Sequence, residues 1–219
     1  MRLHFRKLIY LLVLTGFNLA YAGSFEDFFI AIKRDNASTI QNLLKRGFDG
    51  NTSDEQGQSG LYLALKSESL NAANALLDWP KIAVETRTSK DESPLMIAAL
   101  AGELEICQKL IDKGADVNKT GWTPLHYAAT RGHLDVMRLL LENHAYIDAA
   151  SPNATTPLMM AAQYGTTAAV KLLLEEGADA MLKNQRGLTA LDFARGASRP
   201  DAAEALTAAM RSQRPKGSW

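Results

Sequence analysis

Cysteine is almost missing from this chain: Cys107 is the sole thiol among 219 residues. One thiol closes no internal disulfide, so packing alone must hold the fold, and an oxidising compartment is tolerated without being exploited. An excess of either charge is missing too, since 24 Lys and Arg stand against 24 Asp and Glu. That balance argues against a nucleic-acid binder, which relies on clustered cations. Glycines sit singly and build no phosphate-cradling loop. The apolar run from Leu8 to Ala22 is 15 residues long and contains Asn18. It falls short of the ~20 residues that span a bilayer.

That run carries the marks of a leader instead. Arg2, Arg6 and Lys7 precede it without an acid, Gly16 breaks it, and Ala20-Tyr21-Ala22 supplies a small-x-small pattern. The pattern predicts a signal peptide over residues 1–22, cleaved after Ala22, and hence a periplasmic or secreted protein without a stable membrane anchor. The leader holds three of the 24 basic side chains and none of the acids, so its removal leaves a net charge of −3.

Beyond the leader, the chain repeats itself. Ser59, Ser93, Thr123, Thr156 and Thr189 each open a similar phrase, at steps of 34, 30, 33 and 33 residues. Five positions after each comes an alanine: Ala64, Ala98, Ala128, Ala161 and Ala194. A further step back lands on Ala31, in a degenerate first copy. Thr123 suits a helix N-cap, and Pro124 suits the first helical turn, where its missing N–H costs nothing. Gly132 stops that short helix. A second helix over LDVMRLLLEN aligns Leu134, Met137, Leu140 and Leu141 along one stripe. Gly114 and Gly177 end the second helices of their copies, and His144 takes the same place in copy four. Neither helix buries its apolar side within one copy; stacked copies do.

TPLHYAATRGHLDVMRLLL and GADVN (Gly114 to Asn118) resemble the ankyrin repeat, and the resemblance runs over about residues 24–208. It implies an all-α solenoid of about six helix-turn-helix repeats with short β-hairpin fingers. The approximate copies are 24–56, 57–90, 91–120, 121–153, 154–186 and 187–210, within a domain spanning 23–210. Residues 211–219, RSQRPKGSW, read as a flexible basic tail. The 30-residue step predicts a truncated finger before Thr123, and WPKIAVE predicts an irregular corner in copy two.

No catalytic constellation stands out, and neither a cofactor nor a metal is expected. His126, His133 and His144 are spaced by 7 and 11 residues, unlike a compact ligand pair. Cys107 sits at an apolar position of its helix, where a packed, inert thiol is expected. The resemblance implies protein binding through a concave face of fingers and first helices. The positions the family leaves free for partners fall on Lys66, Leu100, Trp122, Tyr127, Arg131, Met160, Gln163, Tyr164, Gln185 and Arg186. Ile97 shares that row, and Tyr127, Arg131 and Tyr164 are expected to be exposed. Trp, Tyr, Met and Arg are the residue types enriched at interfaces. The expectation is a non-catalytic, monomeric protein-interaction module acting outside the cytoplasm on a protein partner. Its alternatives are an inhibitor or immunity-type protein that blocks an exported toxin or enzyme, and, more remotely, a metal binder using the copy-four histidines.

Overall fold

The computed structural model describes residues 23–213, so the leader and its cleavage point lie outside the described residues. The chain forms two compact units, one ending at Ala83 and the other beginning at Val84. The first contains α1, helical over residues 23–33, then α2 (Ala37–Lys45), α3 (Gly60–Lys66) and α4 (Leu70–Leu77). The second contains α5 (Pro94–Ala101), α6 (Leu104–Asp112), α7 (Pro124–Arg131), α8 (Leu134–Glu142), α9 (Pro157–Gln163), α10 (Thr167–Glu175), α11 (Ala190–Gly196) and α12 (Pro200–Gln213). These are six consecutive helix pairs.

Within the second unit the first helices of each pair, α5, α7, α9 and α11, pack side by side in one row. The second helices, α6, α8, α10 and α12, form another. The repeated alanine makes this layering possible. Ala64, Ala98, Ala128, Ala161 and Ala194 are all fully buried, small enough to let a neighbouring helix approach. Beside them Leu95, Leu125 and Leu158 are equally sealed, each contributing about 1.5–3 kcal/mol of burial. Ser59, Ser93, Thr156 and Thr189 each accept the N–H three residues on, and proline opens α5, α7 and α9. Gly102 and Gly132 end α5 and α7 in the left-handed region. Gly165 serves differently: a Cβ there would lie 2.2 Å from the Ala129 carbonyl oxygen, so glycine lets α9 lie close to α7.

Several expectations need correction. The buried stripe of α8 runs through Val136, Met137, Leu139 and Leu140, while Leu134 and Leu141 are half-buried. A helix packed against its own pair and two neighbours buries a wider, shifted arc than a single-sided surface helix. The fingers are tight turns, not β-hairpins. Only a bridge between Ser53 and Ser59 is strand-like among the described residues. The full-length fingers instead close with short-range backbone bonds, such as Ser151 N–H to the Thr155 carbonyl with Ala154 N–H to the Ser151 carbonyl, or Asn184 N–H to the Leu188 carbonyl with Gly187 N–H to the Asn184 carbonyl. The loops are too short to extend a ladder. The first three residues of the expected tail, 211–213, are helical. α12 is longer than the other helices because the Gln213 amide donates to the Ala178 carbonyl and accepts from the Ala180 N–H, anchoring its last turn.

The irregular corners follow the sequence. His144 has φ +64°, matching Gly114 at +88° and Gly177 at +98°. α4 ends on Asp78 in right-handed geometry, and Trp79-Pro80 carries the chain onward with no left-handed residue. In the shortened finger before Thr123, the buried Lys119 ammonium donates to the Thr120 and Trp122 carbonyls and pairs with Asp91. A side chain thereby replaces the missing turn.

Candidate functional site

A cleft of about 230 Å³ opens on the finger side of the first-helix row in the second unit, lined by Leu100, Trp122, His126, Tyr127, Thr130 and Met160. Its walls are almost wholly apolar. Helical spacing sets them out: Leu100 comes from the last turn of α5, Tyr127 and Thr130 from α7, and Met160 from α9. Trp122 hangs from the shortened finger that Lys119 braces. Its ring meets His126 edge-on, with centroids 5.1 Å apart.

His126 forms the floor and is fully buried. The Thr123 N–H donates to Nδ1 at 3.2 Å, so Nε2 carries the proton and donates to the Thr155 carbonyl at 2.9 Å. Burial pushes its pKa down to about 4, outweighing the bond to Thr155, and the ring is neutral at pH 7. Tyr127 is half-buried, and its hydroxyl donates to Glu92 at 3.4 Å. Burial first, and then the Glu92 charge, raise its pKa to about 12, so the phenol keeps its proton. Neither group is poised to exchange protons with a substrate at neutral pH.

Four of the ten residues singled out in the sequence, Leu100, Trp122, Tyr127 and Met160, converge on this cleft. Arg131 lies exposed at the end of α7. Gln163 is half-buried, and Tyr164, 59% exposed, follows at the end of α9. Gln185 and Arg186 are exposed on the next finger, but Gln185 also ties fingers together through the Pro152 and Asn153 carbonyls. Lys66 belongs to the first unit, where its ammonium sits 5.4 Å from the Tyr62 ring centroid. Ile97, placed in the same row by the repeat, is buried between neighbouring helices and does not line the cleft. Tyr127 is less exposed than expected because it shares the cleft wall with Trp122 of its own copy and with Leu100 and Met160 of the two adjacent ones.

Sequence reasoning missed Lys119 and Thr130. Thr130 spends its hydroxyl on the His126 carbonyl, leaving its methyl for the cleft. Lys119 occupies a position that looks like an ordinary surface loop, and only the shortened step hinted that something must substitute there. The three histidines do not converge. His133 bonds the Leu100 carbonyl from the start of α8, and His144 stands at a corner. Among the described residues no three His, Cys, Asp or Glu side chains are placed to hold a metal. Cys107 is fully buried, and burial raises its thiol to about 12.

Comparison with known proteins agrees with this architecture. Family models described as ankyrin repeats match residues 80–151 and 146–194. A putative ankyrin repeat protein of Escherichia coli, YahD, is 28% identical over 193 residues, covering 84% of this chain and 95% of that one. The mouse B-cell lymphoma 3 protein homolog is 29% identical over 71% of this chain, which spans 36% of that protein. Across the animal relatives compared, the chain spans from 14% to 36% of their length. Among solved structures, one similar chain comes from the complex of a Bdellovibrio bacteriovorus predatory endopeptidase with an immunity protein. It is 30% identical, with a TM-score of 0.72, over 83% of this chain and 97% of that one. An ankyrin repeat domain from Acinetobacter baumannii gives the same TM-score at 27% identity, over 83% and 96%. The chain belongs to the ankyrin-repeat family, whose fold is a scaffold for protein–protein interaction.

Proposed function

We propose that this protein acts outside the cytoplasm, without catalysis, by holding a protein partner against the finger side of its first helices. The observation that carries this reading is the cleft itself: aromatic, aliphatic and sulfur side chains from three successive repeats, gathered on a preformed surface. Rigid anchoring positions of this composition lose little entropy on association. Export rests on the leader pattern over residues 1–22, which the described residues leave untouched. The protein is expected to work as a monomer.

A second reading is favoured by one observation, the likeness to a chain from an endopeptidase–immunity protein complex. On that reading the partner is an exported enzyme, and docking blocks its active site.

Both readings are tested by recovering partners with the wild type and with Tyr127→Ala/Tyr164→Ala. Retention of the partner should fall by at least about tenfold in the double variant, as truncation of anchoring aromatics does. A variant that folds normally and keeps every partner would remove this surface from consideration. Assaying the partner's activity with and without the protein separates inhibition from simple adaptation. N-terminal sequencing of the protein recovered from cells should begin at Gly23 if the leader is cleaved as proposed.

A further inference from the structure

Two residues before the hydroxyl that opens a copy, each finger turns through the left-handed region. Glycine stands there at Gly57, Gly121 and Gly187, with φ of +74°, +81° and +74°. Copy five has Ala154 at +58°, and copy three has Asp91 at +61°. A side chain in this region strains the backbone, although aspartate tolerates it better than most residues do. Residues strained in this way cluster at functional sites. The Asp91 carboxylate is engaged: it pairs with the Lys119 ammonium, whose side chain is only 4% exposed. Its own finger fixes it there. The Thr88 N–H donates to the Glu92 carbonyl, and the Asp91 N–H returns to the Thr88 carbonyl. The Thr88 hydroxyl oxygen also accepts from the Lys90 and Glu92 N–H groups.

We propose that Asp91 is a positioning residue for the docking cleft: acting through Lys119, it fixes the peptide that carries Trp122. The inference rests on the first-helix face being the docking surface and adds the residue that presets its aromatic wall. The peptide joining Trp122 to Thr123 is gripped at both ends. Its carbonyl accepts from Lys119 at 3.1 Å, and its N–H donates to His126 Nδ1 at 3.2 Å. The Thr120 carbonyl, on the other side of Gly121, accepts from the same ammonium at 2.9 Å. Gly121, at φ +81°, would otherwise leave this short loop free to swing. With the loop held, the indole stands edge-on to His126 and walls the cleft. The next residue of the copy-three finger touches the other aromatic wall, since Glu92 accepts from the Tyr127 hydroxyl. The cleft is thereby shaped before a partner arrives, and anchors arranged in advance lose less entropy on association.

The test labels the tryptophans of the full chain with 5-fluorotryptophan and follows them by ¹⁹F NMR, with Trp122→Phe assigning the resonance. Lys119→Met and Asp91→Gly should each move the Trp122 resonance towards that of the free amino acid and leave the Trp79 resonance in place. Glycine suits the turn at position 91, so Asp91→Gly carries the test even if Lys119→Met folds poorly. Lys90→Met, which removes an exposed charge from the same finger, should leave Trp122 unmoved. In partner recovery from cells, the first two variants should retain roughly tenfold less and Lys90→Met as much as the wild type. The inference is overturned if the Trp122 resonance stays put in both variants, if Trp79 moves with it, or if Lys90→Met acts alike. Lost recovery in Tyr127→Ala/Tyr164→Ala beside full recovery in Lys119→Met and Asp91→Gly would keep the docking surface and remove only the brace. Full recovery in Tyr127→Ala/Tyr164→Ala would overturn the docking surface, and the inference with it.

Discussion

His126 shows how one side chain serves both fold and surface. Its Nε2–H reaches across to the next finger while Nδ1 caps its own helix, and it can do both only as a neutral ring. Its folded pKa, about 4, lies below the ordinary value of 6.5. The unfolded chain therefore binds more protons between those values, so stability is full above pH 6.5 and falls as pH drops towards 4. The loss should approach roughly 3 kcal/mol by pH 4. Chemical denaturation of the wild type and His126→Met at pH 7 and pH 4.5 checks this, and the variant should lose clearly less stability on acidification. His144 shows the opposite situation, a side chain where none is wanted. At φ +64° it occupies the left-handed corner that glycine fills in copies three and five. His144→Gly should raise stability by about 0.5–1 kcal/mol, read as a higher melting temperature; an earlier melt would contradict that placement.

At the scale of elements, several corners after second helices are pinned by a side chain from a neighbouring repeat. Asn51 donates to the Lys81 carbonyl and accepts from the Ala83 N–H. Asn118 does the same to His144 and Tyr146, and Gln213 to Ala178 and Ala180. Asp148 breaks the pattern. It accepts from the Asp179 N–H but has nothing to donate, and burial followed by the nearby Asp179 charge raises its pKa. A raised carboxyl pKa means the folded state holds the extra proton, so this group weakens the fold as pH rises above 3.8. Asp148→Asn restores the donor towards the Gly177 carbonyl, the counterpart of His144. It should stabilise by roughly 0.5–1 kcal/mol at pH 7 and show little gain near pH 3. Thermal melts at the two pH values decide it.

The helix pairs were legible because their signals are local: a hydroxyl cap and an alanine five residues on recur at steps of 30 to 34 residues, with proline after the cap in three copies. Tyr127 and Met160 were legible for the same reason, since each stands four residues after the hydroxyl that opens its copy, and Leu100 and Trp122 fall at other fixed places of the repeat. Lys119 was not, because its role depends on carbonyls exposed by a deletion and on Asp91 in another finger. The depth of Ile97 and Tyr127 was equally hidden. It depends on what the neighbouring repeat happens to place beside them, and the two copies differ there. Gln213 looked like tail until its amide found the loop after α10.

For the whole molecule, the stacking of repeats explains why function falls to the surface. Buried alanines and leucines bind copy to copy, while the first-helix side of the second unit gathers Trp122, Tyr127 and Met160 around one cleft. The most direct test is photo-crosslinking in cells, with benzoylphenylalanine placed at Gln163 on the first-helix side or at Gln108 on the second-helix side. Docking on the first-helix face predicts a discrete protein adduct from position 163 and none from position 108. An adduct from 108 alone would contradict it.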